Sequence, residues 1–374
     1  NNNQTPPTNI TQATSKKQQT EPRDSTINQY VCMSPLRYVV VMIHMLVATA
    51  ATQQVPVVEI TALSEMYTST SGDTWLWRDE QVAGPVWNFT LDAGGSVADN
   101  PCSSSAAVNR TWQGVTCSQP PHLCSSQTCH ITGIRLDSYA LAGSIPPAIS
   151  DLSFIDTLSL EYNQLTGAIP AAVGDLTALA YLSLYFNALS GPTPPEIGQL
   201  QALTYLDLGY NIFLGAIPHE MGNLSSLVSL YMGATSVTGP IPASIGNLLF
   251  LQFMFLDNNQ LSGPIPSSVG QLTALHTLSL VSNDMTGTMP SEVGQLTAAE
   301  LIYLGDNQLT GGIPTAIWQL TAVKELHLDS NELNGTIPVE VGQLSTLQRL
   351  SLKNNQLSGN IPGEIGRLTR LGML

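Results

Sequence analysis

Charge is scarce in this chain of 374 residues, with 12 Lys+Arg and 27 Asp+Glu making up 10% of it, where about a quarter is ordinary. The shortage falls mainly on basic residues and leaves a net charge of −15. No basic surface is available to neutralise a phosphate backbone or an anionic lipid face, so nucleic acid and membrane surfaces are poor partners. The local patterns of catalysis are missing as well. There is no H-E-x-x-H, G-x-S-x-G, P-loop or G-x-G-x-x-G, and His44, His122, His130, His219, His276 and His327 are scattered along the chain. Neither a catalytic residue nor a metal or other cofactor is therefore expected.

Long apolar runs are also lacking. The one near the start, YVVVMIHMLV at 38–47, is ten residues, half of the roughly 20 that a membrane-spanning helix needs. Met33 and Arg37 precede it and Ala48-Thr49-Ala50 follows it. A short basic region, an apolar core and an A-x-A site form the grammar of a secretory signal peptide. Residues 33–50 are expected to be that signal, and the polar residues 1–32 an upstream extension outside the mature protein. Cysteine is sparse, at five. Cys32 precedes the signal, whereas Cys102, Cys117, Cys124 and Cys129 cluster after it. Four clustered cysteines in an exported chain read as two disulfides, in one of three pairings. Proximity favours Cys102–Cys117 and Cys124–Cys129. The spacing C-x6-C-x4-C-H fits no standard zinc pattern.

Glycine (30) and proline (24) are abundant, and both recur at a fixed spacing. Pro falls at 146, 170, 194, 218, 242, 266, 290, 314, 338 and 362, without a slip in ten copies of 24 residues. Gly stands three positions before each Pro and Leu six after it. A representative copy is LQFMFLDNNQLSGPIPSSVGQLTA from Leu251. Apolar residues at positions 1, 4 and 6 of the copy, such as Leu182 and Leu184, share the inward face of a short strand, and positions 3, 5 and 7 point outward. Position 9 is Asn in eight copies, with Tyr139 and Thr235 as exceptions. Its amide can satisfy backbone groups where the strand turns away. Gly at position 13 permits a positive φ or a close backbone approach, and Pro at 16 ends strand pairing. One copy cannot bury its apolar face alone, so the copies must stack. Ten parallel strands about 4.8 Å apart give a curved solenoid roughly 50 Å long.

The pattern LxxLxLxxNxLxGxIPxxIGxLxx resembles the plant-type leucine-rich repeat of receptor-like kinases, receptor-like proteins and polygalacturonase inhibitors. The resemblance covers residues 131–370. It implies an α/β repeat solenoid, a curved leucine-rich-repeat horseshoe with a parallel concave β-sheet, a second short strand in each repeat and 3₁₀ turns on the convex side. Asn100-Pro101-Cys102 and Trp112-Gln113-Gly114-Val115-Thr116-Cys117 resemble the family's N-terminal disulfide cap, expected over residues 51–130. Its helix is expected at residues 56–67, opened by Pro56, with Ile60, Leu63 and Tyr67 on one face. An insert at residues 87–99 and an added loop at residues 124–129 depart from the family pattern. Residues 371–374 open an eleventh repeat with no capping repeat after it, so the chain is expected to continue.

Outward positions 3, 5, 7 and 8 carry Tyr162, Tyr181, Tyr185, Phe186, Tyr205, Tyr210, Tyr231, Phe253 and Phe255, nine of the chain's 23 aromatics, with Glu161, Asp207 and Asp257 among them. These positions are not needed by the core. The aromatics and acids are expected to form a ligand-binding face for a neutral or basic extracellular protein, peptide or oligosaccharide. Stacking for stability alone would produce the same pattern. Sequons at Asn88, Asn109, Asn223 and Asn334 are candidate glycosylation sites. The favoured function is a recognition module in the ectodomain of a receptor-like protein or kinase, with any membrane contact made by a segment beyond this chain. A secreted inhibitor of a wall-degrading enzyme and a structural matrix protein are the alternatives.

Overall fold

The repeat period fixes the architecture seen in the computed structural model. It describes residues 55–78, 85–89, 100–102, 111–119 and 128–373. The expected extension and signal, Asn109, Cys124 and residues 90–99 of the insert lie outside these. Strand β1 (Val115–Cys117) pairs antiparallel with β2 (Ile131–Arg135). From β2 onward one strand of each repeat joins one parallel sheet: β3 (Thr157–Ser159), β4 (Tyr181–Ser183), β5 (Tyr205–Asp207), β6 (Ser229–Tyr231), β7 (Phe253–Phe255), β8 (Thr277–Ser279), β9 (Leu301–Tyr303), β10 (Glu325–His327) and β11 (Arg349–Ser351). The register equals the sequence period, so Leu158, Leu182, Leu206 and Leu230 stand side by side. Each repeat closes on its far side with a five-residue 3₁₀ turn beginning after the conserved-spacing Pro, as at Ala171–Asp175 and Ser267–Gln271. This bears out the expected fold class.

Position 9 is the clamp between repeats. The Asn163 amide donates to the Leu136, Leu160 and Glu161 carbonyls, and its oxygen accepts from Tyr139 N and Leu141 N of the preceding repeat. One side chain thereby pairs five backbone groups at a bend where strand pairing has ended. The two copies without Asn show what its absence does. Ala140 (φ 60°) and Ser236 (φ 68°) become left-handed at position 10 in those copies and in no other. The second row of short strands begins late there, at Ala142–Gly143 and Thr238–Gly239. At the Thr235 repeat that row divides into a four-stranded and a five-stranded sheet. Tyr139 has a different role. Its ring meets Trp77 edge-on at 5.9 Å and lies under the Arg78 guanidinium at 4.9 Å, so the first repeat is joined to the cap.

The cap covers the open apolar end. Helix α1 (Val57–Ser69) follows Pro56 and buries Ile60, Leu63 and Met66. Buried Glu59 accepts hydrogen bonds from Ile131 N at 2.7 Å and pairs with His130 Nδ1 at 2.6 Å, tying α1 to β2. Trp75, Trp87 and Trp112 pack beside it. Trp87, the first residue of the insert, is thus part of the cap core. The Cys102–Cys117 disulfide is formed, with a Cα separation of 5.9 Å, and Cys129 is also disulfide-bonded.

Two positions depart from the repeat pattern inside the core. Position 20 is Gly in most copies because successive 3₁₀ turns touch there: a Cβ on Gly174 would sit 2.5 Å from the Glu196 carbonyl oxygen. Trp318 occupies this position in repeat eight and is fully buried. The following Pro338 adopts ψ 165°, against 134° to 149° at the other nine equivalent prolines. Thr193 stands where the other copies have Ile or Met, and its buried hydroxyl has no partner. A desolvated, unpaired hydroxyl opposes folding. Thr193→Val keeps the shape and removes the oxygen, and is expected to stabilise the protein by about 1 kcal/mol. The check is a higher thermal midpoint, and an unchanged or lower one contradicts it.

Candidate functional site

Strand alternation sends positions 3 and 5 to the concave face, where repeats two to six bring the expected aromatics into two rows. One runs diagonally across four strands. Tyr181 stacks on Tyr205 with centroids 4.4 Å apart and planes 7° from parallel. Tyr205 meets Tyr231 at 5.5 Å, and Tyr231 meets Phe255 at 5.2 Å. Arg135 lies over the free side of Tyr181 at 4.9 Å. Phe253 is apart from this row and stacks instead on His276 at 6.1 Å. All of these rings are half-buried, because each covers its neighbour.

The second row lies at the rim, where the strands end. Position 8 is left-handed in all ten repeats, with φ from 52° to 63°. Elsewhere it holds Ser, Asn, Asp or Ala, mostly short polar residues that tolerate this conformation. In repeats two, three and four it holds Tyr162, Phe186 and Tyr210, each about half exposed at 52%, 49% and 53%. Tyr185 inserts between them, 5.2 Å from Tyr162 and 5.3 Å from Tyr210. Ile212, two residues after Tyr210, is also exposed. Phe186 packs between Tyr162 at 5.4 Å and Tyr210 at 6.0 Å, yet each of the three rings stays half in water at a backbone position that disfavours bulky residues.

Acids and small residues lie between the rows. Tyr181 Oη donates to Glu161 Oε1 at 3.2 Å, and Tyr205 Oη donates to Asp207 Oδ2 at 3.3 Å. Asp207 Oδ1 accepts from Gly209 N at 2.9 Å. The outward-facing pattern placed Asp207 on an accessible surface. It is in fact 8% exposed, because the tyrosine stack roofs it. That burial lifts its pKa to about 6, with the Glu161 charge adding to the rise and the Gly209 hydrogen bond opposing it. Tyr205 is pushed well above the usual phenol range, first by burial and then by the Asp207 charge. Ser183, paired in register with Asp207, is fully buried and its hydroxyl has no partner. The aromatic list drawn from the sequence omitted Ser183 and Gly209, since small residues carry no periodic signal of their own. Asp257, two strands further on, accepts from Asn258 Nδ2 at 2.8 Å. Of the sequons, Asn223 and Asn334 are exposed, and Asn88 is half-buried.

A family model described as Leucine Rich Repeat matches residues 202–224, 250–272 and 346–368. No curated protein matches the chain. Among solved structures it is similar to the LRR ectodomain of the membrane receptor kinase GASSHO1/SCHENGEN3 from Arabidopsis thaliana in complex with CASPARIAN STRIP INTEGRITY FACTOR 2. The identity is 34% and the TM-score 0.56, over 64% of this chain and 31% of that one. It is similar to the plant peptide hormone receptor RGFR1 in complex with RGF2, at 33% identity and TM-score 0.63, over 70% of this chain and 48% of that one. The chain thus spans less than half the length of either receptor chain. A plant ice-binding protein matches at 25% identity and TM-score 0.62, over 83% of this chain and 90% of that one.

Proposed function

We propose, for a chain that is a leucine-rich-repeat solenoid of the plant type, that the concave face of repeats two to six is a recognition surface for an extended peptide or protein segment. The module binds rather than catalyses, and it works outside the cell. The observation that carries the proposal is the pair of aromatic rows, above all Tyr162, Phe186 and Tyr210 at left-handed rim positions. Half-exposed tyrosines supply large, rigid contact area with a polar tip, which suits binding at low entropic cost. One of the similar structures is a plant peptide hormone receptor in complex with RGF2, which supports a peptide over an oligosaccharide.

In a screen of secreted peptides, enzymes and wall oligosaccharides, Tyr185→Ala and Tyr205→Ala are each expected to weaken binding of the selected ligand by at least about tenfold, the scale of a 1.4 kcal/mol contact. His327→Ala in repeat nine is expected to matter much less. A larger effect at His327, or none at the tyrosines, places binding elsewhere. Expressed from Met33 in a secreting cell, the protein is expected to begin near Ala51 and to carry N-glycans at exposed Asn223 and Asn334. Mass spectrometry of an intact 33–50 segment, or of both asparagines unmodified, contradicts this.

A second use has its own observation on a different face. Position 12 of the second strand row carries Thr166, Ser190, Thr238, Ser262, Thr286, Thr310 and Ser358, all exposed or half-exposed. Leu214 and Asn334 interrupt this row of small hydroxyls, and the chain covers most of a plant ice-binding protein. Ice binding on that flank is tested by ice recrystallisation. Inhibition by the wild type that is lost in Thr286→Tyr supports it, and an inactive wild type removes it.

A further inference from the structure

One junction between neighbouring repeats lacks the position-9 clamp. At the other eight, an Asn spans back to the repeat before it. Its oxygen accepts the position-11 N–H, as from Leu165, Leu189, Val237 and Leu261 at 3.0 to 3.2 Å. Its Nδ2 donates to the position-6 carbonyl, as at Leu160, Leu184, Met232 and Leu256 at 2.7 to 3.0 Å. Between repeats four and five the residue is Thr235, whose hydroxyl reaches only Met232 of its own repeat and Asn259 of the next. Among the described residues, no side chain of repeat five meets the Phe213 N–H or the Leu208 carbonyl. A third link is missing beside them. The position-9 N–H donates to the position-8 carbonyl of the next repeat at 3.2 Å in Asn163, Asn187, Asn259 and Asn283, but not in Asn211. Phe213 is fully buried, so its N–H is withheld from water as well, which opposes the closed arrangement.

The other sides of the same junction are intact. On the concave side, Leu208 N donates to Tyr231 O at 2.8 Å and Tyr210 N to Gly233 O at 3.0 Å. On the convex side the 3₁₀ turns touch, since a Cβ on Gly222 would lie 2.3 Å from the Ser244 carbonyl oxygen. On the flank between them, Thr238 N still donates to Gly215 O at 2.8 Å. Close to that bond, Ser236 holds a left-handed φ of 68°, which is costly for a residue other than glycine. The diagonal aromatic row changes at the same place. Tyr181 and Tyr205, both before the junction, lie 7° from parallel, and Tyr231 and Phe255, both after it, 18°. Tyr205 and Tyr231 meet across it at 42°, with the longest centroid separation of the row, 5.5 Å.

A stack held on two sides and loosened on the third can open there without unfolding. We propose that the flank between repeats four and five is a joint, at which the solenoid bends while the concave strands stay paired and the convex turns stay in contact. The cap and repeats one to four, with all three rim aromatics, move as one body, and repeats five to ten as another. The aromatic row crosses the joint between Tyr205 and Tyr231, so bending alters the shape of the concave face. The joint is a property of the fold and does not depend on what that face binds.

Two measurements on the full chain test the joint, with Thr235→Asn as the variant that restores the clamp. In hydrogen exchange followed by mass spectrometry, the segment around Phe213 is expected to exchange at least about tenfold faster than the equivalent segments around Leu189 and Leu261, as for a lost hydrogen bond. Thr235→Asn is expected to slow it to their rate and to raise the melting midpoint. Nitroxide side chains placed at Gln164 and Gln260 lie four repeats apart across the joint, and at Gln260 and Gln356 four repeats apart without it. All three positions are exposed. In pulsed electron resonance the first pair is expected to give the broader distance distribution, and Thr235→Asn to narrow it. The comparison of the two pairs in the wild type stands even where the variant fails to fold. Equal widths for the two pairs overturn the joint, as does a Phe213 segment protected like its equivalents. Faster exchange that Thr235→Asn leaves unchanged overturns it too, because the missing clamp is then not its cause.

Discussion

Everything in this solenoid depends on how the backbone is satisfied at the bend after each concave strand. Three residues of strand per repeat are too few to hold a fold by pairing alone. The chain then turns inside the stack, where its N–H and C=O groups have no water. The position-9 asparagines close that gap by reaching into the preceding repeat, so that each repeat completes the one before it. The Thr235 repeat shows the dependence directly. Thr235 Oγ1 reaches its own repeat's Met232 carbonyl and Asn259, but it has no amide to span back. The second strand row divides at that point.

The same constraint frees the surface. Positions 1, 4, 6, 9 and 11 carry the core and the clamp, and the alternating positions of the strand can vary without loss of the stack. The aromatic rows and the acids of repeats two to six exploit that freedom. Beyond them, Glu325 receives Arg349 at 3.0 Å and Lys353 approaches Asp329 at 3.8 Å. Those exposed pairs contribute little to stability. They make the face near the chain's end self-neutralised, unlike the uncompensated acids around Asp207.

Stacking and binding are not competing explanations of the diagonal row. Tyr181 and Tyr205 lie nearly parallel in contact, and such packing stabilises neighbouring strands. It also buries Asp207 and Ser183, which costs stability. The rim row gains less from packing, since half of each ring remains in water at a strained backbone position. The case for recognition is therefore strongest at the rim, where stability alone selects smaller residues.

By itself, the sequence determined the fold class, the register, the inward face, and the Asn clamp with its two exceptions. These follow from a period of 24 residues repeated without a slip, since a fixed period leaves one way to align the strands. It also named Tyr162, Tyr185, Tyr205 and Asp257 as outward-facing. The tertiary structure alone decided that Asp207 is roofed over, that Ser183 is sealed without a partner, and that the Asp207 and Asp257 carboxylates crowd against Gly209 and Gly233. It also placed Trp87 in the cap core and set Tyr139 against Trp77 and Arg78. Most of those features arise between residues in different repeats or distant in the cap. They depend on how large rings tilt over small neighbours, which no one-dimensional pattern encodes.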